Sequence, residues 1–393
     1  MSDSPRRVPF NRPEMVGSEL DYIREAIEAE HTAGNGPFSA RCTAWLEDAT
    51  RARRALLSHS CTGALEMSAL LAEVGPGDEV IMPSFTFVST ANAFALRGAT
   101  PVFVDVRADT LNLDEALVES AVTERTRAIV PVHYAGVACE MAALLDIAAR
   151  HGLVVIEDAA QALFSTYEGQ PLGSFGQLAA LSFHETKNVI SGEGGALLVN
   201  ARELVERAEI LHEKGTNRRQ FARGETDKYT WIEVGSSFLA SDITAAFLWA
   251  QLERGQDLTE SRLVTWAEYH HAFADLEAAG DVRRPVVPES CGHNGHLYYL
   301  LLPDRARRDA FIERLGERNV GSVFHYVPLH SSPAGRRVGR AHGELVVTDD
   351  ASARLARLPM WAGMEPADVA HVVESVEWAL RRSPVRVLSR DVE

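Results

Sequence analysis

The sequence predicts an α/β protein: a mixed, mostly parallel sheet covered by helices, followed by a smaller C-terminal α/β domain. Two observations predict it. Through the first half, short runs that are apolar at every position alternate with stretches of helical spacing. Strands that are apolar throughout belong to parallel sheets buried on both faces. From about residue 256 the pattern changes to long helices, a Pro-rich break and a few short strands. The chain is therefore divided into a large domain over 8–255 and a small one over 256–383.

The elements follow in order. Residues 55–58 form a short apolar run, and 62–73 carry helical spacing through Leu65, Ala69 and Leu70. Pro76-Gly77-Asp78 is a turn, 79–82 the next strand, and 88–96 a helix of small apolar residues suited to close packing. Residues 100–105 read as a strand, 114–122 as a helix, 128–132 as a strand, and 141–151 as a helix stopped by Gly152. Residues 153–156 are a strand running into Glu157-Asp158; 178–183 and 195–199 are two more. In the second half, 241–254 and 258–279 read as long helices and 284–288 as the break. A strand (296–302), a helix (307–318) and a strand (320–325) follow. The ends, 1–7 and 383–393, read as loose tails.

Composition narrows the function classes. The 393 residues are 46% hydrophobic and 24% charged, ordinary for a globular chain and unlike disordered or collagenous ones. No apolar run reaches the ~20 residues of a membrane helix. The first ten residues carry Arg6 and Arg7 without the apolar centre of an export signal. Cys42, Cys61, Cys139 and Cys291 are scattered without metal-ligand spacing, so free thiols in a cytoplasmic protein and no metal are expected. A net charge of −16 argues against nucleic acid and anionic membranes as partners. Of 39 basic residues only Lys187, Lys214 and Lys228 are lysines, so chemistry that needs an amine has few candidates.

Ligands in such sheets bind at the carboxyl ends of strands. Residues 60–62, Asp158 and 182–187 all follow strands and are expected to converge. One acid closes a strand in Glu157-Asp158-Ala159-Ala160-Gln161. A second strand ends at Ser182, with Lys187 five residues on and Gly192, Gly194 and Gly195 beyond. These are the parts that an aldehyde cofactor with a pyridine ring and a phosphate requires. A lysine amine binds the aldehyde. A carboxylate keeps the ring nitrogen protonated. Hydroxyls and N–H groups at a helix N-terminus hold the phosphate; the segment from Ser58 to Ala64, with Ser60, Cys61 and Thr62, supplies them. Phe87, or else Phe85, is placed to stack on the ring. Each piece alone has a plainer explanation as a cap, a core residue or a surface lysine. Their order and spacing together do not.

The blocks Pro76-Gly77-Asp78-Glu79-Val80-Ile81, Pro131-Val132-His133, Glu157 to Gln161, Ser182 to Asn188, Gly192-Glu193-Gly194-Gly195-Ala196 and Pro328-Leu329-His330 resemble the sugar-nucleotide aminotransferases of the DegT/DnrJ/EryC1/StrS family. The likeness extends over about residues 8–380. The strings 83–98, 130–141, 182–188 and 214–218 are similar to the branch that aminates carbon 4 of dTDP-4-keto-6-deoxyglucose. The resemblance implies a fold type I (aspartate aminotransferase-like) homodimer dependent on pyridoxal 5'-phosphate, using L-glutamate as donor. By position, it implies Lys187 as the lysine that binds the cofactor aldehyde, Asp158 at the ring nitrogen, Gln161 at the ring hydroxyl and Phe87 on the ring face. Ser182 with the backbone of Cys61 and Thr62 would hold the phosphate. Where the family sends an Asn from the neighbouring subunit, Leu239 precedes Ser241-Asp242-Ile243, which leaves the Ser236 and Ser237 hydroxyls. Lys214, Arg218 and Arg219 are the candidate diphosphate contacts. His325 and His330 would line the sugar pocket; His184 would serve there or as packing.

Other readings are an aminotransferase acting at carbon 3 or on another nucleotide-linked keto sugar, a nicotinamide dehydrogenase, and a regulator that kept the fold without the chemistry. Gly34-Asn35-Gly36-Pro37-Phe38 lacks the third glycine of a dinucleotide fingerprint. Lys187, Asp158 and Gln161 together argue against a lost activity.

Overall fold

The structure, a computed structural model, describes residues 6–381. Its centre is an eight-stranded sheet in the spatial order Arg54–Ser58, Gly195–Val199, Leu178–Ser182, Val154–Asp158, Thr126–Ile129, Glu79–Pro83, Thr100–Val104, Arg340–Ala341. Only Gly195–Val199 runs against its neighbours; the other pairings are parallel.

The uniformly apolar strands have a direct explanation. Ala55, Leu57, Ile81, Ala179, Leu181, Ala196 and Leu198 face one core. Leu56, Val80, Met82, Leu178, Ala180, Leu197 and Val199 face another. Alternate side chains point to opposite faces, so both registers must be apolar. Helices Pro37–Thr50, Met141–His151 and Asp242–Glu253 cover the first face; Cys61–Leu71, Val88–Ala95 and Val205–His212 cover the second.

A third core gathers Val8 with Tyr269, Tyr298, Leu300, Phe311, Ala356 and Val372. It is built on a two-stranded antiparallel sheet, Tyr298–Leu301 with Leu355–Leu358, packed by helices Arg305–Glu317 and Pro366–Arg381.

The structure corrects the sequence reading in several places. No strand forms over 320–325; Val320 and Val323 each make a single bridge, to Val8 and to Arg357. The expected helix over 258–279 is two, Gly255–Ala272 and Ala274–Ala278, parted at the fully buried Phe273. Helices Glu19–Glu28, Pro37–Thr50, Val205–His212 and Pro366–Arg381 and strand Leu355–Leu358 were not anticipated. Of the expected tails, positions 1–5 and 383–393 lie outside the described residues; Arg6 is anchored by ion pairs to Glu365 (3.0 Å) and Asp368.

Candidate active site

Three loops leave the carboxyl ends of strands and meet around one cavity of about 400 Å³. Ser60, Cys61, Thr62, Asp158, Ser182 and Lys187 all line it, as the strand ends required.

Two adjacent acids close strand Val154–Asp158 and have opposite surroundings. Glu157 points into the core and is fully occupied. It accepts the Gly173, Phe175 and Gly176 amides, each at 2.8 Å, and His133 Nε2 at 3.0 Å. The Cys139 amide donates to His133 Nδ1 (3.2 Å), which leaves the ring proton on Nε2. Asp158 turns the other way, into the cavity. Thr90 Oγ1 donates to its Oδ2 (2.7 Å) and the Ala160 amide to its Oδ1 (3.2 Å). Because the Thr90 proton goes to the carboxylate, Thr86 donates to Thr90 (2.9 Å) and the hydroxyls form a directed chain. Burial pushes the Asp158 pKa up, while Thr90, Ala160 and Lys187 pull it down. Among the described residues no cation lies in ion-pair contact with Asp158.

Lys187 lines the same cavity, its amide held by the His184 carbonyl (2.9 Å). Burial lowers its amine below the ordinary lysine value, against the pull of nearby Asp158. Gln161 is fixed from both ends. Its Oε1 accepts the Ala135 amide (2.7 Å) and its Nε2 donates to the Tyr326 hydroxyl (3.1 Å). Burial pushes the Tyr326 phenol up to about 12.

The expected phosphate cradle opens helix Cys61–Leu71. Ser60 caps it by accepting the Gly63 amide (3.0 Å), and Thr62 Oγ1 meets Ser89 Oγ (2.7 Å). The first amides of a helix have no partner within it and favour an anion. Gly195 keeps this backbone close: a Cβ there would lie 2.4 Å from the Cys61 nitrogen. The residues present thus fit the cofactor. A buried carboxylate without a counter-ion, a depressed lysine amine and an anion-ready helix start share one cavity.

The remaining expected residues separate into groups. Phe87 lines the cavity and is 60% exposed, while Phe85 is buried against Tyr134 and Tyr326. His184 and His325 line it as well. His330 does not; it sits between Ser84 Oγ (2.8 Å) and Asp349 (3.5 Å). Lys214, Arg218, Arg219, Ser237 and Leu239 line a different cavity of about 780 Å³. Ser236 is exposed nearby, its carbonyl accepting the Lys214 amide (3.0 Å). Within one chain, then, the expected diphosphate contacts are not brought to Lys187. Sequence reading missed Thr90, His296 and Arg357, all of which line the Lys187 cavity.

This sheet and cavity define a pyridoxal-phosphate-dependent transferase of fold type I. The comparisons carry the assignment further. Residues 13–377 match the DegT/DnrJ/EryC1/StrS aminotransferase family. The chain is 33% identical to the spore coat polysaccharide biosynthesis protein SpsC of Bacillus subtilis, over 94% of this chain and 96% of that one. It is 33% identical to the GDP-perosamine synthase of Caulobacter vibrioides, over 97% and 100%. A Streptococcus pneumoniae structure in its PLP form superposes with TM-score 0.87 at 26% identity, over 96% and 99%. The chain belongs to the DegT/DnrJ/EryC1/StrS aminotransferase family, and its cofactor is pyridoxal 5'-phosphate. Among the described residues no helix is long and apolar enough to cross a membrane.

Proposed function

We propose that the protein transfers the amino group of L-glutamate to carbon 4 of dTDP-4-keto-6-deoxyglucose, giving a dTDP-4-amino-4,6-dideoxyhexose and 2-oxoglutarate. The observation that carries amino transfer is the pairing of Lys187 with Asp158 in one cavity. When bound, the cofactor supplies a carbon that takes up nitrogen and a ring that accepts electron density. Lys187, whose charged form burial disfavours, is the base that moves the proton at the donor α-carbon. Asp158, held by Thr90 and Ala160, keeps a proton on the ring nitrogen. Gln161 steadies the ring hydroxyl. Ser182 and the amides of Cys61 and Thr62 hold the phosphate, and Phe87 covers the ring face.

We infer a homodimer with shared sites in the cytoplasm. Support comes from the separate cavity that holds Lys214, Arg218 and Arg219. A second copy can bring those cations, with Ser236 and Ser237, to the first copy's substrate. Exposed Trp231 (72%) and Val234 (70%) in the adjoining loop offer apolar surface for that contact. Light scattering tests it; a monomer that turns over at full rate contradicts it.

The dTDP-linked acceptor rests on the likeness of the strings 83–98, 130–141, 182–188 and 214–218. The Caulobacter relative favours a second reading, a GDP-linked keto sugar. NMR of the product made from L-glutamate and either keto sugar decides the nucleotide, the carbon aminated and whether the new amine is axial or equatorial. Product from the GDP sugar alone would replace the first reading.

A further inference from the structure

His296 lines the Lys187 cavity, and the two residues also share a smaller void of about 10 Å³ beside Gln161, Ser182 and Asn188. The ring is aimed from both sides. Arg262, on helix Gly255–Ala272, donates to the Gly295 carbonyl (3.0 Å) and to the His296 carbonyl. Asn188, next to Lys187 in the chain, meets His296 Nδ1 through its Oδ1 (3.0 Å). The Asn188 Nδ2 donates to the Asn294 carbonyl (2.8 Å), and Asn294 donates in turn to the Gln161 and Leu163 carbonyls (2.8 Å each). With Asn188 Oδ1 as acceptor, the His296 proton sits on Nδ1 and Nε2 carries a lone pair.

That lone pair meets no donor among the described residues. His133 is the contrast: its Nδ1 accepts the Cys139 amide and its Nε2 serves Glu157. The titratable groups that face His296 are Lys187, Arg262 from its helix, Arg357 from strand Leu355–Leu358 and His325, with no carboxylate among them. Together with burial they hold the ring neutral. Lys187 Nζ likewise makes no hydrogen bond among the described residues. A base must face the proton it moves, and a flexible lysine stem does not hold one direction unaided.

We propose that His296 positions the Lys187 amine, its Nε2 accepting a hydrogen bond from Nζ whenever that amine is free. The inference rests on the amino-transfer reading and adds the residue that directs its base.

The test uses protein loaded with pyridoxamine 5'-phosphate, which leaves Lys187 free, and the variants His296→Leu, His296→Gln and Asn188→Asp. The chain has three lysines, so nitrogen NMR of isotope-labelled lysine gives three Nζ signals; the one absent from Lys187→Ala is Lys187. His296→Leu should move that signal and speed its hydrogen exchange about tenfold, the worth of one hydrogen bond. The Lys214 and Lys228 signals should stay in place. In turnover kcat should fall roughly 100-fold, with KM for L-glutamate and for the keto sugar within about twofold. His296→Gln, whose Oε1 can accept, should recover most of both losses. Asn188→Asp sets a carboxylate beside Nδ1 and favours the charged ring, which has no lone pair, so kcat should gain an acid limb as pH falls. That variant carries the test if the Leu variant does not fold. An unmoved Lys187 signal, a Gln variant no better than Leu, a loss confined to one KM, or Asn188→Asp without a new acid limb would each overturn the proposal. Wild-type protein that shows the His296-dependent Lys187 signal but aminates no sugar would overturn the amino-transfer reading alone.

Discussion

Around Lys187 the charged groups Asp158 and Lys187 make no ion pair, whereas around Arg219 the charges are largely matched. Arg54 pairs with Glu47 and Glu209, Arg219 with Glu209 and Glu213, and Arg223 with Glu209 and Glu225. In the second region the cations not so matched, Lys214 and Arg218, are exposed. In the first, Asp158 and Lys187 share a cavity without making an ion pair with each other. A paired network is scaffolding whose members cancel. Charges held apart in one cavity are kept for a ligand. The contrast between Glu157 and Asp158 repeats this at the scale of one residue. The acid with four donors fixes a turn, and the acid with two faces the cavity.

Substitutions can break or sharpen that contrast. Lys187→Ala should have the largest effect: turnover falls to background and the near-visible absorbance of the bound cofactor changes. Retention of both would end the amino-transfer account. Asp158→Asn should keep cofactor binding and lower kcat roughly a thousandfold, in the range of a lost preorganised charge. An unchanged rate would mean that another group protonates the ring nitrogen. In the second region, Arg218→Ala should raise the KM for the sugar nucleotide by about tenfold, with kcat little altered, as for one exposed charge contact. The loss should shrink further in salt. An effect on kcat alone would remove that loop from substrate binding.

The smallest effect should be a shift in pH dependence. The Thr90 hydrogen bond favours the ionised form of Asp158. Thr90→Val raises the carboxyl pKa, so activity that needs the carboxylate is lost earlier as pH falls. The acid limb of kcat should move up by about one unit, the worth of a hydrogen bond to a charged group. An unmoved limb would leave Thr90 a packing residue.

The large sheet was legible in the sequence because two cores forced both registers of each strand to be apolar. The three converging loops followed from strand ends alone. The C-terminal region was less legible. Val320 to His325 carries strand-like composition, yet Val320 bridges Val8 and Val323 bridges Arg357, so its pairing is split between two partners and no ladder forms. Arg357 was missed although Leu355-Ala356-Arg357-Leu358-Pro359-Met360 holds a signal: one cation inside an apolar run. Lys214, Arg218 and Arg219 read as neighbours of the site because sequence order does not reveal that the fold gives them a cavity of their own. Thr90 gave no signal, since a threonine near the start of a helix is commonplace.

Borohydride reduction of the holoprotein, followed by peptide mapping, tests the central claim most directly. The account predicts a stable pyridoxyl group on Lys187 and on neither Lys214 nor Lys228. A label on either of those lysines, or on none of the three, would contradict it.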